Sequence, residues 1–387
     1  MTRVHVVTGL ETGGAERMLL KLVTTWRARG DAADAVISLR TDGSIGAPLR
    51  AMGSSVESLG LSSITSLPRV TAALIRAGRT LRPDMVQGWM YHGNLAAQLV
   101  ASAARTRTPC VWSIRQTLYD LALERPGTAM VIRLGALLSP RAARIVYNSR
   151  VSAQQHEAAG YDASRRIVIP NGFDTKQFFP DAEGARRLRV QLGLPETARA
   201  IGMVAREHPM KNHAGVIRAV ARVGDPSVYL LLAGRGVDPA NAALAAAASE
   251  AGLSARIRLL GELPSPTLRA MYSLCDLACS ASLWGEGFPN VLGEAMACGV
   301  ACVATDIGDS ADVIGSTGTV VTPADDEALA AALTAMLLLR PDERRALGEQ
   351  ARQRIETEFG LARVAGLFDE MYRAVGEEDR ARRSDQG

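Results

Sequence analysis

The stretch Asp276-Leu-Ala-Cys-Ser-Ala-Ser-Leu-Trp-Gly-Glu-Gly-Phe-Pro-Asn-Val-Leu-Gly-Glu-Ala-Met-Ala-Cys-Gly-Val-Ala-Cys-Val-Ala304 compresses a strand, a loop, a helix and a second strand into 29 residues. Asp276–Ser280 and Val300–Ala304 are short, mostly apolar runs of strand length. Between them Pro289 or Asn290 opens a helix and Gly299 stops it. Proline suits a first helical turn, and glycine suits the position just past the last one. A strand, a crossover helix and a further strand make the repeating unit of a parallel α/β sheet.

Working outward, the same alternation fills the chain. In the first half strands are expected at Val4–Thr8, Ala35–Leu39, Met85–Gln87, Cys110–Ser113 and Ile145–Asn148. In the second half they are expected at Ala200–Val204, Val228–Ala233, Arg256–Leu260 and Thr319–Val321, besides the two above. Helices such as Ala15–Arg29, Thr71–Arg79, Ala214–Val223 and Asp326–Leu338 separate them. A chain of 387 residues exceeds one ordinary core and implies two such sheets. The boundary is expected in Ile169-Pro-Asn-Gly-Phe-Asp-Thr-Lys-Gln-Phe-Phe-Pro180, where two prolines, an Asn-Gly turn and three phenylalanines mark a linker anchored by aromatics.

Composition narrows the class. Hydrophobic residues make up 47% and charged residues 22%, as in soluble globular proteins. No apolar run approaches the roughly 18 residues needed to cross a bilayer. A strand pattern begins at Val4, leaving no room for a signal peptide, so the expected address is the cytoplasm. Five cysteines form no CxxC pair and the five histidines no HExxH, so buried reduced thiols are expected and no metal site. Net charge is +4 but uneven: residues 1–170 hold 21 Lys+Arg against 11 Asp+Glu, and the remainder 23 against 29. A basic first half suits an anionic partner, either a membrane surface or a phosphate-bearing acceptor. Thr71–Arg79 reads as an amphipathic basic helix that could rest on a membrane or pack on the core. The closing charged run from Glu377 reads as frayed.

The loops after the strands carry the chemistry. Glu286 sits in a Gly-rich loop and Glu294, eight positions on, about one turn inside the following helix. Amides at Asn290, Val291 and Leu292 open that helix and suit phosphate. Two acceptor-only carboxylates beside them suit hydroxyls, so a nucleotide sugar answers both demands. Arg206 and Lys211 follow the strand ending near Val204, where open α/β sheets bind ligands. A guanidinium fork and an ammonium suit a pyrophosphate leaving group. Gly13 and Gly14, between the first strand and helix, let backbone approach a phosphate or sugar. They lack the G-x-G-x-x-G spacing of a nicotinamide site. His92 and Arg115 lie at two further strand ends, Arg115 as an acceptor-side or phosphate candidate. Gly234-Arg-Gly236 is a second glycine turn, too short to specify a ligand.

The E-x7-E spacing within EGFPNVLGEAMACG, with its glycines, Pro289 and Asn290 in register, resembles the donor-site motif of the retaining family-4 glycosyltransferases. The resemblance spans about residues 1–375 and is strongest at 282–306 and 145–180. It implies the GT-B fold: two Rossmann-like, doubly wound parallel-sheet domains with a cleft between them. The implied divisions are 1–172 on the acceptor side, 173–360 for the nucleotide sugar, and 361–387 as a helix crossing back to the first domain plus a charged tail. The family's diphosphate-holding Arg and Lys fall on Arg206 and Lys211, five residues apart where some members have six. The GGAER loop at 13–17 is similar to the family's N-terminal glycine loop. The WMYH-x-N run at 89–94 is similar to members of bacterial surface-polysaccharide pathways, in which this His faces the donor sugar.

The expected function is therefore hexose transfer from a nucleoside diphosphate sugar to an alcohol acceptor, with retention implied by the resemblance alone. Glu286, with Phe288 and Pro289 shaping its pocket, is expected to hold the sugar, and Glu294 the ribose. No cofactor or metal is expected, since no Asp-x-Asp follows a strand and protein cations take its place. The expected partners are the donor, a lipid-linked saccharide acceptor and the inner face of a membrane, not nucleic acid. A sugar-nucleotide epimerase of GT-B architecture is the alternative, distinguished by converting the donor without an acceptor. A non-catalytic binder would lack the cations or carboxylates, and a dehydrogenase would need the missing dinucleotide fingerprint.

Overall fold

A computed structural model describes residues 1–11, 13–104 and 108–384. The chain divides into two compact units, Phe173–Gly360 and the remainder on either side of it.

The first unit is built on a parallel sheet of β1 (Arg3–Val7), β2 (Ala35–Ser38), β3 (Ser55–Ser58), β4 (Met85–Trp89), β5 (Cys110–Ile114), β6 (Arg144–Tyr147) and β7 (Arg166–Val168). Their order is β3-β2-β1-β4-β5-β6-β7. Every residue of β1, β4 and β5 is buried, as befits strands covered on both faces. The order turns back between β1 and β4, and such a switch point opens a ligand crevice at the strands' carboxyl ends. Edge strands β3 and β7 were not expected, because Ser-Val-Glu-Ser and Arg-Ile-Val show too little apolar alternation.

The helix Leu361–Ser384 belongs to this unit, laying Phe368, Met371, Tyr372 and Val375 among Trp26, Trp89 and Val111. It contradicts the frayed reading of the charged terminus as far as Ser384: Glu378 pairs with Arg144, and Asp379 with Arg383 one turn on. Residues 385–387 of that reading lie outside the described residues. The helix expected at Thr71–Arg79 runs Leu67–Leu81, and its apolar face is inside the core. Val70, Leu74 and Ala77 are buried, and a Cβ on Gly78 would stand 2.3 Å from the Val100 carbonyl oxygen. That face is taken by the neighbouring helix Met90–Ala103 and is not open to a membrane.

The second unit has a parallel sheet of β8 (Arg199–Val204), β9 (Val228–Ala233), β10 (Ile257–Leu259), β11 (Leu277–Ser280), β12 (Cys302–Thr305) and β13 (Thr319–Val321). The order is β10-β9-β8-β11-β12-β13, so its switch point lies between β8 and β11. The opening stretch of the sequence forms β11, the helix Asn290–Ala297 and β12. The linker phenylalanines divide their tasks: Phe173 and Phe178 enter the core, and Phe179 lies under the Arg269 guanidinium at 4.2 Å.

All five cysteines are unpaired and buried. Burial pushes the Cys110, Cys279 and Cys298 thiols up to about 12. Among the described residues no helix is long and apolar enough to cross a membrane.

Candidate functional site

In the second unit, the two loops that flank the switch point meet. Lys211, on a short 3-10 turn after β8, forms an ion pair with the Glu286 carboxylate on the loop after β11. Ser282 Oγ donates to the same Glu286 oxygen at 3.0 Å, and the Leu283 amide donates to the Met210 carbonyl at 2.8 Å. Both charged side chains are about one-sixth exposed, which strengthens their attraction over that of a surface pair. Arg206 is exposed beside them in sequence, with no ion pair among the described residues.

The strand end that carries Arg206 is held from below by features the sequence reading left unassigned. Gly234 has φ +143°, and a Cβ there would stand 2.1 Å from the Ala205 carbonyl oxygen. The next residue, Arg235, accepts the Glu207 amide at 2.8 Å. His213 is buried, hydrogen-bonds the Ala205 backbone and leaves Nε2 without a partner. The glycine turn is therefore the floor of the cationic loop. Its signal in the sequence was a Gly-x-Gly directly after a strand.

The Glu286 loop has its own buttress. Thr305 Oγ1 donates to the Ser282 carbonyl at 2.6 Å, and the Asp309 amide to Gly287 at 2.9 Å. Gly308, at φ +63°, leaves no room for a Cβ against the Gly287 carbonyl at 2.4 Å. Phe288 departs from the pocket-shaping role expected of it: it is 5% exposed and packs on Phe173 and Phe359 beneath the loop. Its apolar ring is worth more in the core than against a polar ligand. Pro289 is buried and caps the helix without a side-chain hydrogen bond. The Leu292 amide already donates to the Pro289 carbonyl at 3.1 Å, so it is not available to phosphate, unlike the expectation for the Asn290–Leu292 amides. Val291 and Glu294 are part-buried on that helix, Glu294 close enough to Tyr272 and Cys298 to disfavour their ionisation.

In the first unit the candidate residues also gather at a switch point, between β1 and β4. Gly13 is the N-cap of the helix Gly14–Ala28, with no side-chain cap. The carboxylate of Glu16 takes the place a Gly13 side chain would fill, its oxygen 2.1 Å from the Cβ position. Glu16 was missed by the sequence reading, and burial raises its carboxyl above the usual range. Gly14 is exposed with open space where a side chain would go. His92 stands in the first turn of the helix Met90–Ala103, an element the sequence reading lacked. Burial and the nearby Arg40 lower its pKa, favouring neutral imidazole.

That helix start is tightly built. Met90 has φ +62°, uncommon for a side-chain-bearing residue, and a Cβ on Gly88 would sit 2.4 Å from Asn94 Cα. The Asn94 side chain accepts the Ser113 amide at 3.1 Å. Tyr91 hydrogen-bonds His156 Nε2 at 2.8 Å, while His156 Nδ1 faces the Ser152 carbonyl at 2.7 Å. A carbonyl can only accept, so Nδ1 carries the proton and Tyr91 donates. Arg115 is drawn inward rather than toward a ligand: its guanidinium donates to Asn171 Oδ1 and the Pro170 carbonyl, and lies over Phe368. Burial without a carboxylate lowers its pKa to about 9, which still leaves it charged at neutral pH. This binds it to the chain leaving the first unit, in place of the acceptor-side role.

Among the described residues no three His, Cys, Asp or Glu side chains are placed to hold a metal ion. Comparison with known proteins adds ancestry to this geometry. Residues 12–177 match the family described as Glycosyltransferase Family 4, and residues 185–354 match Glycosyl transferases group 1. The D-inositol 3-phosphate glycosyltransferase of Corynebacterium urealyticum is 32% identical over 229 residues, 56% of this chain and 53% of that protein. Its counterpart in Mycobacterium bovis is 31% identical over 245 residues, 60% of this chain and 49% of that protein. The matched region thus spans about half the length of these curated relatives. The fold is shared with Anabaena Alr3699/HepE in complex with UDP, at TM-score 0.83 and 21% identity over 97% of this chain and 100% of that one. A glycosyltransferase from Rickettsia africae gives TM-score 0.81 and 18% identity, covering 97% of this chain and 98% of that one. With a glycosyltransferase model on each half and two Rossmann-ordered sheets beneath them, the chain belongs to the family-4 glycosyltransferases of GT-B fold.

Proposed function

We propose that the protein moves a hexose-type sugar from a nucleoside diphosphate to an alcohol acceptor, with retention of anomeric configuration. The observation that carries this reading is the pairing of Lys211 with Glu286 at the β8/β11 switch point, next to an exposed Arg206. When the bond from sugar C1 to the diphosphate breaks, negative charge grows on the leaving oxygen and the sugar becomes oxocarbenium-like. Fixed cations at that oxygen lower the barrier because they need no reorganisation during the reaction. Glu286 accepts from the hydroxyls of the transferred sugar, and in doing so frees Lys211 for the diphosphate. Glu294 accepts from the ribose. In the first unit, Gly13, Gly14 and His92 are assigned to the ligand side of that sheet's own switch point.

UDP is the first nucleotide to try, because the Anabaena protein of this fold is crystallised with UDP and with UDP-glucose. Protein cations standing in for a divalent ion make the transfer metal-independent, so activity should survive EDTA. The acceptor is proposed to be a lipid-linked saccharide in polysaccharide or glycolipid assembly at the cytoplasmic face of a membrane, a reading supported by the basic first half.

Thermal unfolding against a panel of UDP-, GDP- and TDP-sugars tests the donor reading. A ligand at about one hundred times its Kd adds about 2.7 kcal/mol of stability, an easily read shift. Stabilisation by none of them would overturn the reading. Conversion of donor alone into a different free sugar nucleotide would favour the epimerase instead.

A further inference from the structure

Residues 125–156 contain five arginines and no acidic residue. The helix Pro126–Leu138 opens that segment, and its two sides differ. Ala129, Ile132 and Gly135 are buried, and the helix packs on the neighbouring Met90–Ala103. A Cβ on Gly135 would stand 2.5 Å from the Tyr161 hydroxyl, so this inner side is closely fitted. The outer side carries Met130, Leu134 and Leu137, which are 66%, 44% and 73% exposed. At about 100° per residue the three fall within an arc of roughly 60°. Arg133 is exposed at the edge of that arc, with Arg125 and Arg141 just beyond the helix ends. None of these three arginines has an ion pair among the described residues.

The geometry points to the outer side of Pro126–Leu138 as a docking face for a lipid surface that carries anionic headgroups. Three large apolar side chains on one exposed arc form a patch, unlike Val190 or Leu338, each on a helix of its own in the second unit. Seated at the boundary of headgroups and acyl chains, Met130, Leu134 and Leu137 would leave water while the arginines meet lipid phosphates. A second copy of the chain fits this face poorly. A two-fold contact sets each patch against itself, which brings the exposed Arg133 of one copy close to that of the other. The helix Leu67–Leu81 has the amphipathic composition but has already used its apolar face in the core. The inference rests on this surface and not on the donor reading, and it would bring a lipid-linked acceptor within reach of the first unit.

Co-sedimentation of the full chain with phosphatidylcholine vesicles, with and without phosphatidylglycerol, tests it. Binding should require the anionic lipid and weaken with salt. The triple variant Met130→Ser/Leu134→Ser/Leu137→Ser should bind at least tenfold more weakly, and Arg133→Glu several-fold more weakly, with thermal unfolding unchanged. Ile64→Ser/Leu67→Ser, which alters exposed apolar residues at the start of the other helix, should bind as the parent does. The proposal is overturned if the parent ignores both vesicle types or if the triple variant binds undiminished. It is equally overturned if the parent self-associates in sedimentation velocity and the triple variant is monomeric. Sugar-nucleotide stabilisation of the triple variant should match the parent, so failure of lipid binding and failure of donor binding are read separately.

Discussion

The carboxyl ends of the two sheets are built to opposite designs. In the second unit the strand-end loops hold charge at a part-exposed place: Lys211 against Glu286, with Arg206 exposed nearby. In the first unit the corresponding side chains are mostly held by bonds in the interior: Asn94 to the Ser113 backbone amide, Tyr91 to His156, Arg115 to Asn171. An exposed cation can be given to a ligand at little cost, whereas buried side chains held by internal bonds mainly keep position, even though Arg115 Nη1 has no partner among the described residues. The proposed function puts the leaving-group chemistry at the second sheet end, while much of the first is fixed by internal bonds.

The sharpest way to break this contrast is Lys211→Ala. Loss of one fixed donor to the leaving group costs about 3 kcal/mol, or roughly a hundredfold in turnover, with folding intact. Release of nucleoside diphosphate measures it, and an unchanged rate would move the chemistry elsewhere. The first sheet end is tested by acid. Burial lowers the His156 pKa from 6.5 to about 4. Between those values the unfolded chain binds a proton that the folded protein does not, so stability rises with pH. His156 should therefore contribute fully above about pH 6.5 and lose about 3 kcal/mol as pH falls through 4. Urea unfolding across that window should show the slope in the parent and a flatter profile in His156→Gln. A parent profile that is already flat would deny the buried, neutral state of the ring.

Gly234→Ala sharpens the comparison from beneath, by forcing a Cβ against the Ala205 carbonyl under the cationic loop. About 2 kcal/mol of stability should be lost, with a fall in turnover. Gly366→Ala, which meets nothing within 4 Å, should be neutral or slightly stabilising. Equal stabilities in the two variants would show that the loop has no fixed floor. The smallest effect is expected from Glu294→Ala. Its donor KM should rise about tenfold with turnover little changed, as when a bond made equally in ground and transition states is removed. Calorimetry that finds donor affinity unaltered would remove Glu294 from the ribose.

How much of this was legible follows from where the signals lie. The unit from Asp276 to Ala304 could be read because Pro289 and Gly299 punctuate it locally, whatever surrounds them. Val228–Ala233 and Asp326–Leu338 were read to the residue, for apolar patterning is strong in both. The helix Met90–Ala103 escaped because it begins without a capping side chain, after a left-handed Met90, and contains Gly93. Tertiary contacts stabilise that start: a Cβ on Gly93 would meet the Val6 carbonyl at 2.7 Å, and Asn94 and Tyr91 bond to Ser113 and His156. Phe288 and Arg115 were misjudged for a related reason. A residue's place in a motif says which loop it occupies, but not whether its side chain turns toward ligand or core.

The interior placement of all five sulfhydryl groups has a practical corollary. Alkylating reagents meet no reactive sulfur on the native surface, so each modification records an opening of the chain. Cys110 lies in one unit and the other four in the second. Mass spectrometry of timed labelling would thus clock the breathing of each half of the protein separately, with no probe introduced.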